Sequence, residues 1–418
     1  MDTKNIVAAI SLSAAVIVLY SLFFAPPPIT KENMAEGNKV EQNSDTPSLD
    51  QKKNVAEISR EEALNQSERI NFENESIVGS ISLKGGVIDD LTFKQYNVSL
   101  DSQEKVTLLS PRNSKDGYLI ESGFITSDKN VEIPNSNSIW KVSGNNKLTD
   151  QSPIKISWTN DQGITFEKEI ALDDKYLFSI KQSVINPTDK KYDFYTYGQI
   201  IRNEMPDISN FYILHEGLVA TLDDELIEED YDDIQEKKFS RTAQKGWLGI
   251  GDKYWVTSLI PPREKEFKTT FDYKDKFRAN FVSTEPLELN ENSLIEETLQ
   301  IIVAAKRVDV IDGYAESLNI DKFDLTIDWG FLYFITKPLF FGIDYFFKLL
   351  GNYGLAIIAI TICIRLAFFP LANFSFRSMA KMKALQPEMA RLKELHKDDK
   401  MKLQQAMMAL YKKEKVNP

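Results

Sequence analysis

The sequence predicts a multi-domain membrane protein: an N-terminal transmembrane helix, a large all-β domain, a helix lying in the membrane surface, a second transmembrane helix and a helical hairpin. Three observations carry this. Two stretches are apolar and long enough to cross a bilayer, the middle of the chain alternates with period two, and the tail is basic with apolar residues recurring at three and four. At 418 residues, with 27% charged and 42% hydrophobic, the chain is too long for one ordinary domain and too polar for a bundle of membrane helices.

The first apolar stretch, Ile6 to Phe24, holds no charge, and at about 1.5 Å per residue it spans close to the ~30 Å hydrocarbon core. A cleavable signal needs small residues at −1 and −3 of the cut, whereas Ala25 has Phe23 at −3 and Pro26 after it. Residues 1–25 are therefore expected to be an uncleaved anchor. Lys4 marks the near side as cytoplasmic, which puts the residues after Pro26 across the membrane. Residues 26–74, rich in Lys, Glu, Asn, Ser and Gln, are expected to be a disordered tether.

From 75 to 320 the pattern is that of a β-sandwich. Ile154, Ile156 and Trp158 alternate with polar residues, Asn160-Asp161-Gln162-Gly163 turns, and Ile164, Phe166 and Ile170 resume. Leu172-Asp173-Asp174-Lys175 turns again, and Asn186-Pro187-Thr188-Asp189 leads to Tyr192 and Phe194. These successive strands read as an antiparallel meander. The segment around Trp247 and Tyr254-Trp255-Val256 reads as sandwich core. The acidic run Asp223 to Glu236 lacks the spacing and turn glycine of a calcium loop and is expected to be a solvated surface loop. His215 is alone there and is expected to pack or to face solvent.

Residues 325–350 are dense in aromatics yet carry Lys337, Asp344 and Lys348, which suits a helix in the membrane surface, started or kinked by Pro338. Residues 353–372 form the second span, interrupted only by Arg365 and flanked by Arg377, Lys381 and Lys383 as a cytoplasmic side requires. Residues 373–418 read as a coiled-coil hairpin. Met379, Met382, Leu385 or Gln386, Met389, Leu392 and Leu395 form one apolar stripe, His396-Lys397-Asp398-Asp399 breaks it, and Leu403, Ala406, Met407, Leu410 and Tyr411 form the other.

Charge and composition exclude several chemistries. The net charge is −12, but residues 25–330 hold −20 and residues 371–418 hold +6, so the body is no nucleic-acid binder and the tail favours lipid headgroups or ribosomal RNA. One cysteine, Cys363, and two distant histidines, His215 and His396, leave no disulfide framework, no thiolate or His-rich metal site and no two-histidine acid–base pair, so what remains open is carboxylate-only chemistry or none. No catalytic residue, metal, cofactor or small-molecule substrate is expected, and there is no Walker-type loop.

The stretch from about Leu325 to Pro418, with DLTIDWGFLYFITKPLF, GNYGLAIIAITICIRLAFFPL, SMAKMKALQPEMARL and MMALYKKEKVNP, closely resembles the YidC family of bacterial membrane protein insertases. The anchor, tether and β-domain match the family's form with a large periplasmic domain, which looks like a β-supersandwich similar to sugar mutarotases. The resemblance implies insertion and folding of inner-membrane proteins, alone or beside the Sec translocon, through a hydrated groove bearing Arg365, with Thr361 and Ile358 in the same groove. It implies a cytoplasmic hairpin that binds partners through Met379, Lys381, Met382, Lys383, Met407 and Met408. The implied partners are nascent membrane proteins, the Sec translocon, the ribosome and membrane lipids, in a multi-pass protein of the inner membrane with its N-terminus and hairpin in the cytoplasm. The family continues past Val416-Asn417-Pro418 with further membrane helices that complete the groove, so this polypeptide by itself is expected not to support insertion. The competing reading is a membrane-anchored periplasmic module that recognises glycan or a protein partner. Arg365 separates the two, because a plain anchor has no reason to carry a cation at mid-span.

Overall fold

The computed structural model describes residues 58–206, 215–330, 332–397 and 399–414. The expected anchor, most of the expected tether and the closing Val416-Asn417-Pro418 lie outside the described residues. The chain divides into two units at Asp328/Trp329.

The first unit starts earlier than composition suggests. Helix α1 (Arg60–Leu64) is held by a capping box, in which Ser59 Oγ accepts from the Glu62 N–H at 3.3 Å and the Glu62 carboxylate accepts from the Ser59 N–H at 3.2 Å. The strand Arg69–Glu73 comes next, with Ile70 and Phe72 buried. The tether therefore does not extend to 74. Averaged composition hides a Ser-x-x-Glu cap and a short period-two pattern, and those two local signals decide the structure here.

Two sheets make up the unit, of eleven and nine strands among the described residues, antiparallel but for a short parallel pairing of Asn71 and Phe72 with Lys147 and Leu148. Strands Ile154–Thr159, Thr165–Leu172 and Leu177–Asn186 do run as a meander, in a register that sets Trp158 opposite Phe166 and Ile170 opposite Ile180. Gly163, at φ +84°, supplies the left-handed residue of the first turn, and Asn160 Oδ1 accepts the Gln162 and Ile164 N–H groups. The meander then ends. Tyr192–Arg202 leaves for the other sheet, between Tyr118–Ile125 and Phe277–Ser283. A strand's period of two is the same in either sheet, so the alternation alone carries no sign of this crossing.

The core lies between the sheets. Phe72 meets Phe178 edge-on at 5.2 Å and Phe166 meets Phe194 at 5.7 Å, each pair with one ring from each sheet. Such pairs add about 0.5–1.5 kcal/mol to the burial of the rings themselves. Trp247, Leu248 and Ile250 are fully buried as expected, while Tyr254 is exposed. The acidic run is not a loop. Asp223 and Asp224, both at positive φ, form the tight turn of a hairpin joining Gly217–Leu222 to Glu225–Asp230, and α2 (Tyr231–Glu236) succeeds it. Ile227, Tyr231 and Ile234 are buried there, apolar anchors that the surrounding carboxylates mask in a composition count. His215 packs: its Nδ1 lies 3.1 Å from Asp230 Oδ1, and its backbone N–H donates to Asp328. Helix α3 (Val308–Ser317) and a short turn of helix at Phe323–Thr326 close the unit, with Ile311 and Phe323 fully buried, so its end lies beyond the expected 320.

Among the described residues, the second unit has three helices: α4 (Tyr333–Leu350), α5 (Tyr353–Leu395) and α6 (Lys400–Lys413). Helix α4 begins later than 325, because Phe323–Thr326 belongs to the first unit. Gly351, at φ +66°, ends α4 in the left-handed conformation, and the Asn352 side chain accepts the Leu355 N–H to start α5. Helix α5 is unbroken for 43 residues and carries Pro370 and Pro387 inside it. The boundary expected at 372/373 is thus no break. Each proline removes one backbone donor, but helix-forming residues on both sides keep the helix running. Among the described residues, α5 is the one helix long and apolar enough to cross a membrane.

Candidate functional site

Helix α5 has two faces that its sequence does not distinguish. Ala356 is fully buried and Ala359 and Ile360 are half-buried, at the spacing of one helix face. Gly342 of α4 comes against this stripe. A Cβ placed on it would lie 2.9 Å from Ile360 Cδ1, the end of a flexible side chain, so a methyl is met by a small shift of Ile360 and a large side chain is not. At the junction, Phe347 and Tyr353 stack at 3.9 Å between centroids. Gly342→Leu should therefore lower the stability of this helix pair by about 1–3 kcal/mol, the usual range for overpacking. The check is thermal unfolding of the detergent-solubilised chain, and an unchanged midpoint would mean that the pair does not depend on this contact.

Ile358, Thr361 and Arg365 are spaced by three and four residues and so share a face. At roughly 100° per residue that face points opposite to the Ala356/Ala359/Ile360 stripe. All three are exposed, Ile358 to 58%. Thr361 Oγ1 donates to the Ile357 carbonyl at 2.6 Å, which satisfies a hydroxyl that would otherwise stand bare on an apolar surface. Arg365 has no carboxylate within ion-pair distance among the described residues. Two charges on α4 are better placed: Lys348 pairs with Asp344 at 2.7 Å one turn away, and Lys337 lies 5.7 Å from the centre of the Trp329 ring.

In the hairpin, Asp399 caps α6 by accepting the Lys402 N–H at 3.0 Å, and that bond holds its carboxyl below the usual carboxylate range. The Tyr411 hydroxyl reaches Met389 Sδ at 3.8 Å across the seam. The six residues expected to bind partners divide. Met382 and Met407 are half-buried on the faces that form the seam, whereas Met379, Lys381, Lys383 and Met408 are exposed. The packing stripe of α5 and its glycine partner on α4 are what reasoning from sequence missed. The available signal was the smallness of Gly342, Ala356 and Ala359, since small residues mark close helix approach in membranes.

Comparison with known proteins fits both units. Residues 69–341 match the family model described as the YidC periplasmic domain, and residues 345–418 match that of the 60Kd inner membrane protein. The chain is 72% identical, over its whole length and 75% of the relative's, to the membrane protein insertase YidC of Pelagibacter ubique. This chain belongs to the YidC family. A YidC of Rickettsia prowazekii is 38% identical over 99% of this chain and 75% of its own. Among solved structures, the chain is similar to a galactose mutarotase related enzyme of Lactobacillus acidophilus, at 12% identity and TM-score 0.42, over 57% of this chain and 97% of that one. No activity is carried over on that likeness. As a YidC member, the chain joins a large all-β unit to an apolar helix and a helical hairpin.

Proposed function

We propose that this chain provides the substrate-facing helix of an insertase and chaperone for proteins of the bacterial inner membrane, which works alone or beside the Sec translocon, with α5 crossing the membrane. The β-rich unit then lies in the periplasm and the hairpin in the cytoplasm, where Lys381, Lys383 and the outward Met379 and Met408 meet the ribosome or anionic lipid. The observation that carries this reading is Arg365, exposed on the face of α5 turned away from its helix partner. A lone arginine at membrane depth costs about 2.5–3.5 kcal/mol on insertion scales, so it is kept where water or a counter-charge meets it. Such a cation attracts an acidic group in the short polar tail of an incoming protein. The apolar segment behind it then slides past Thr361 and Ile358 into lipid, driven by partitioning and the membrane potential.

Photo-crosslinkers test the face directly. Placed at Thr361 or Ile358 in the full chain, the probe should capture ribosome-bound nascent membrane proteins, and placed at Ala356 it should capture α4 instead. Equal capture of nascent chains from both faces would sink the assignment.

A further inference from the structure

A small cavity opens between the two sheets where a pair of strands part. Val87–Asn97 meets Tyr118–Ile125 at the single pair of Ile88 and Ile120. Gly85, Ser122 and Gly123, close to where that register would continue, line the cavity instead. Its volume is about 20 Å3. Roughly 10–15 Å3 admits one water, so a guest of a few atoms fits there and a sugar or a peptide does not.

Three polar side chains in its wall are almost wholly buried: Lys168 and Trp140 are 3% exposed and Gln182 is 1% exposed. Lys168 and Gln182 are register partners on adjacent strands, so they share the inner face. The Lys168 amine donates to the Gly86 carbonyl and stands over the Trp140 ring, 4.9 Å from its centre. The indole nitrogen comes to the same spot, because a Cβ on Gly86 would lie 2.8 Å from Trp140 Nε1. Neither the Trp140 N–H nor the Gln182 amide has a hydrogen-bond partner among the described residues. Unmet donors are rare in a buried site, and two of them beside an amine suit a guest that accepts.

The remaining titratable groups of the cavity are engaged elsewhere or neutral. Glu121 pairs with Arg112 and accepts from Gln199, and Glu167 pairs with Lys155 at 2.7 Å. Burial pushes the Tyr197 phenol up to about 12. The same burial pushes Lys168 down to about 7, so at neutral pH much of it is the free amine, which is the nucleophilic form. An ordinary lysine, near about 10.4, is almost all ammonium there.

We propose that Lys168 is a carbon dioxide site, at which the buried amine adds CO2 to become a carbamate. The nitrogen lone pair attacks the carbon of CO2, one C=O π pair moves onto oxygen and an N–C bond forms. One amine proton leaves to water at the cavity wall bearing the exposed Asn135. Nothing is oxidised or reduced. The carbamate nitrogen keeps one N–H for the Gly86 carbonyl, and its oxygens accept from Trp140 Nε1 and Gln182 Nε2.

The test incubates the full chain in detergent with 13C-bicarbonate at pH 8, traps carbamates as ethyl esters with triethyloxonium ion and locates the label by peptide mass spectrometry. Lys168 should be labelled above every other lysine. At equal dissolved CO2 the label should fall by about tenfold or more at pH 6, where the amine is protonated. Trp140→Phe keeps a ring and removes one donor, and should lower the label by about tenfold, the worth of one hydrogen bond to a charged group. Bicarbonate should also raise the unfolding midpoint of the parent at pH 8 and leave that of Lys168→Met unmoved, because a guest held only by the folded state stabilises it. Absence of label on Lys168 in folded parent protein would overturn the proposal. Labelling no greater than that of surface lysines would do the same, and so would full labelling of Trp140→Phe. The first two readings use the unaltered chain, so misfolding of a variant cannot imitate them. None of these quantities involves a membrane substrate, so this proposal and the insertase reading fail separately.

Discussion

Arg365→Ala should reduce insertion of substrates whose translocated tails carry an acidic residue by about tenfold, and should spare purely hydrophobic substrates. The expected size is that of one hydrogen bond between the guanidinium and a carboxylate. A hydrogen bond to a charged group is worth about 1.5–3 kcal/mol, and about 1.4 kcal/mol is one factor of ten. Arg365→Lys keeps the cation on the same face and should restore much of the insertion, though not the planar fork that holds a carboxylate with two bonds. The measurement is protease protection of each substrate class in cells that depend on the variant. Equal impairment of both classes would make Arg365 a structural residue and remove the reason for placing the groove on this face.

Lys168 should give the β-rich unit a stability that rises with pH. It is 3% exposed between the sheets, opposite Gln182 on one neighbouring strand and Ile156 on the other. Its ammonium donates to the Gly86 carbonyl at 2.9 Å and lies 4.9 Å from the centre of the Trp140 ring. Burial pushes its pKa down to about 7 from 10.5. The unfolded chain therefore binds more protons than the folded one between those values, and stability climbs as pH rises from about 7 toward 10.5. Below pH 7 both states are charged and the whole penalty applies, about 5 kcal/mol for that separation. Lys168→Met removes the penalty but orphans the Gly86 carbonyl, which costs about 1–3 kcal/mol. The variant should then be more stable than the parent at pH 6 by about 2–4 kcal/mol and less stable near pH 10, so the two stability curves cross. Urea unfolding monitored by tryptophan fluorescence at pH 6, 8 and 10 reads this. A stability difference that does not change with pH would show that Lys168 reaches solvent in the folded state.

Much of this architecture can be read in the residues, and what cannot has physical causes. The hairpin is legible because its two stripes are apolar against a charged background, and Met382, Leu385, Met389, Leu392, Leu403, Ala406, Met407, Leu410 and Tyr411 are all half-buried. Leu395, the last residue of α5, and Met379 are exposed and drop out, Met379 for a reason of length. Tyr411, near the described end of α6, already meets Met389, and Met379 lies further back along α5. Arg365 stands out because one charge in an apolar run is expensive, whereas the face of α5 that packs does not, since apolar residues surround it on every side and periodicity vanishes. The sheet crossing after Asn186 is non-local, set by which strands meet rather than by any strand's own pattern. Lys168 is the sharpest case. One lysine in an alternating strand reads as a solvent-facing residue, and only the second sheet reveals that its side is the inside.

The length of α5 has a mechanical consequence. Arg365 and the hairpin seam lie on one uninterrupted helix, about 1.5 Å per residue from end to end, with no loop between them to absorb torque. At Pro370 and Pro387 the carbonyls of Leu366 and Lys383 lose their usual donors, which lets the rod bend there while its helical phase is preserved. A rotation applied at the hairpin is therefore carried along a continuous helix toward Arg365, less what the two proline sites absorb. Engagement at the basic end and the direction in which Arg365 points become two readings of one shaft.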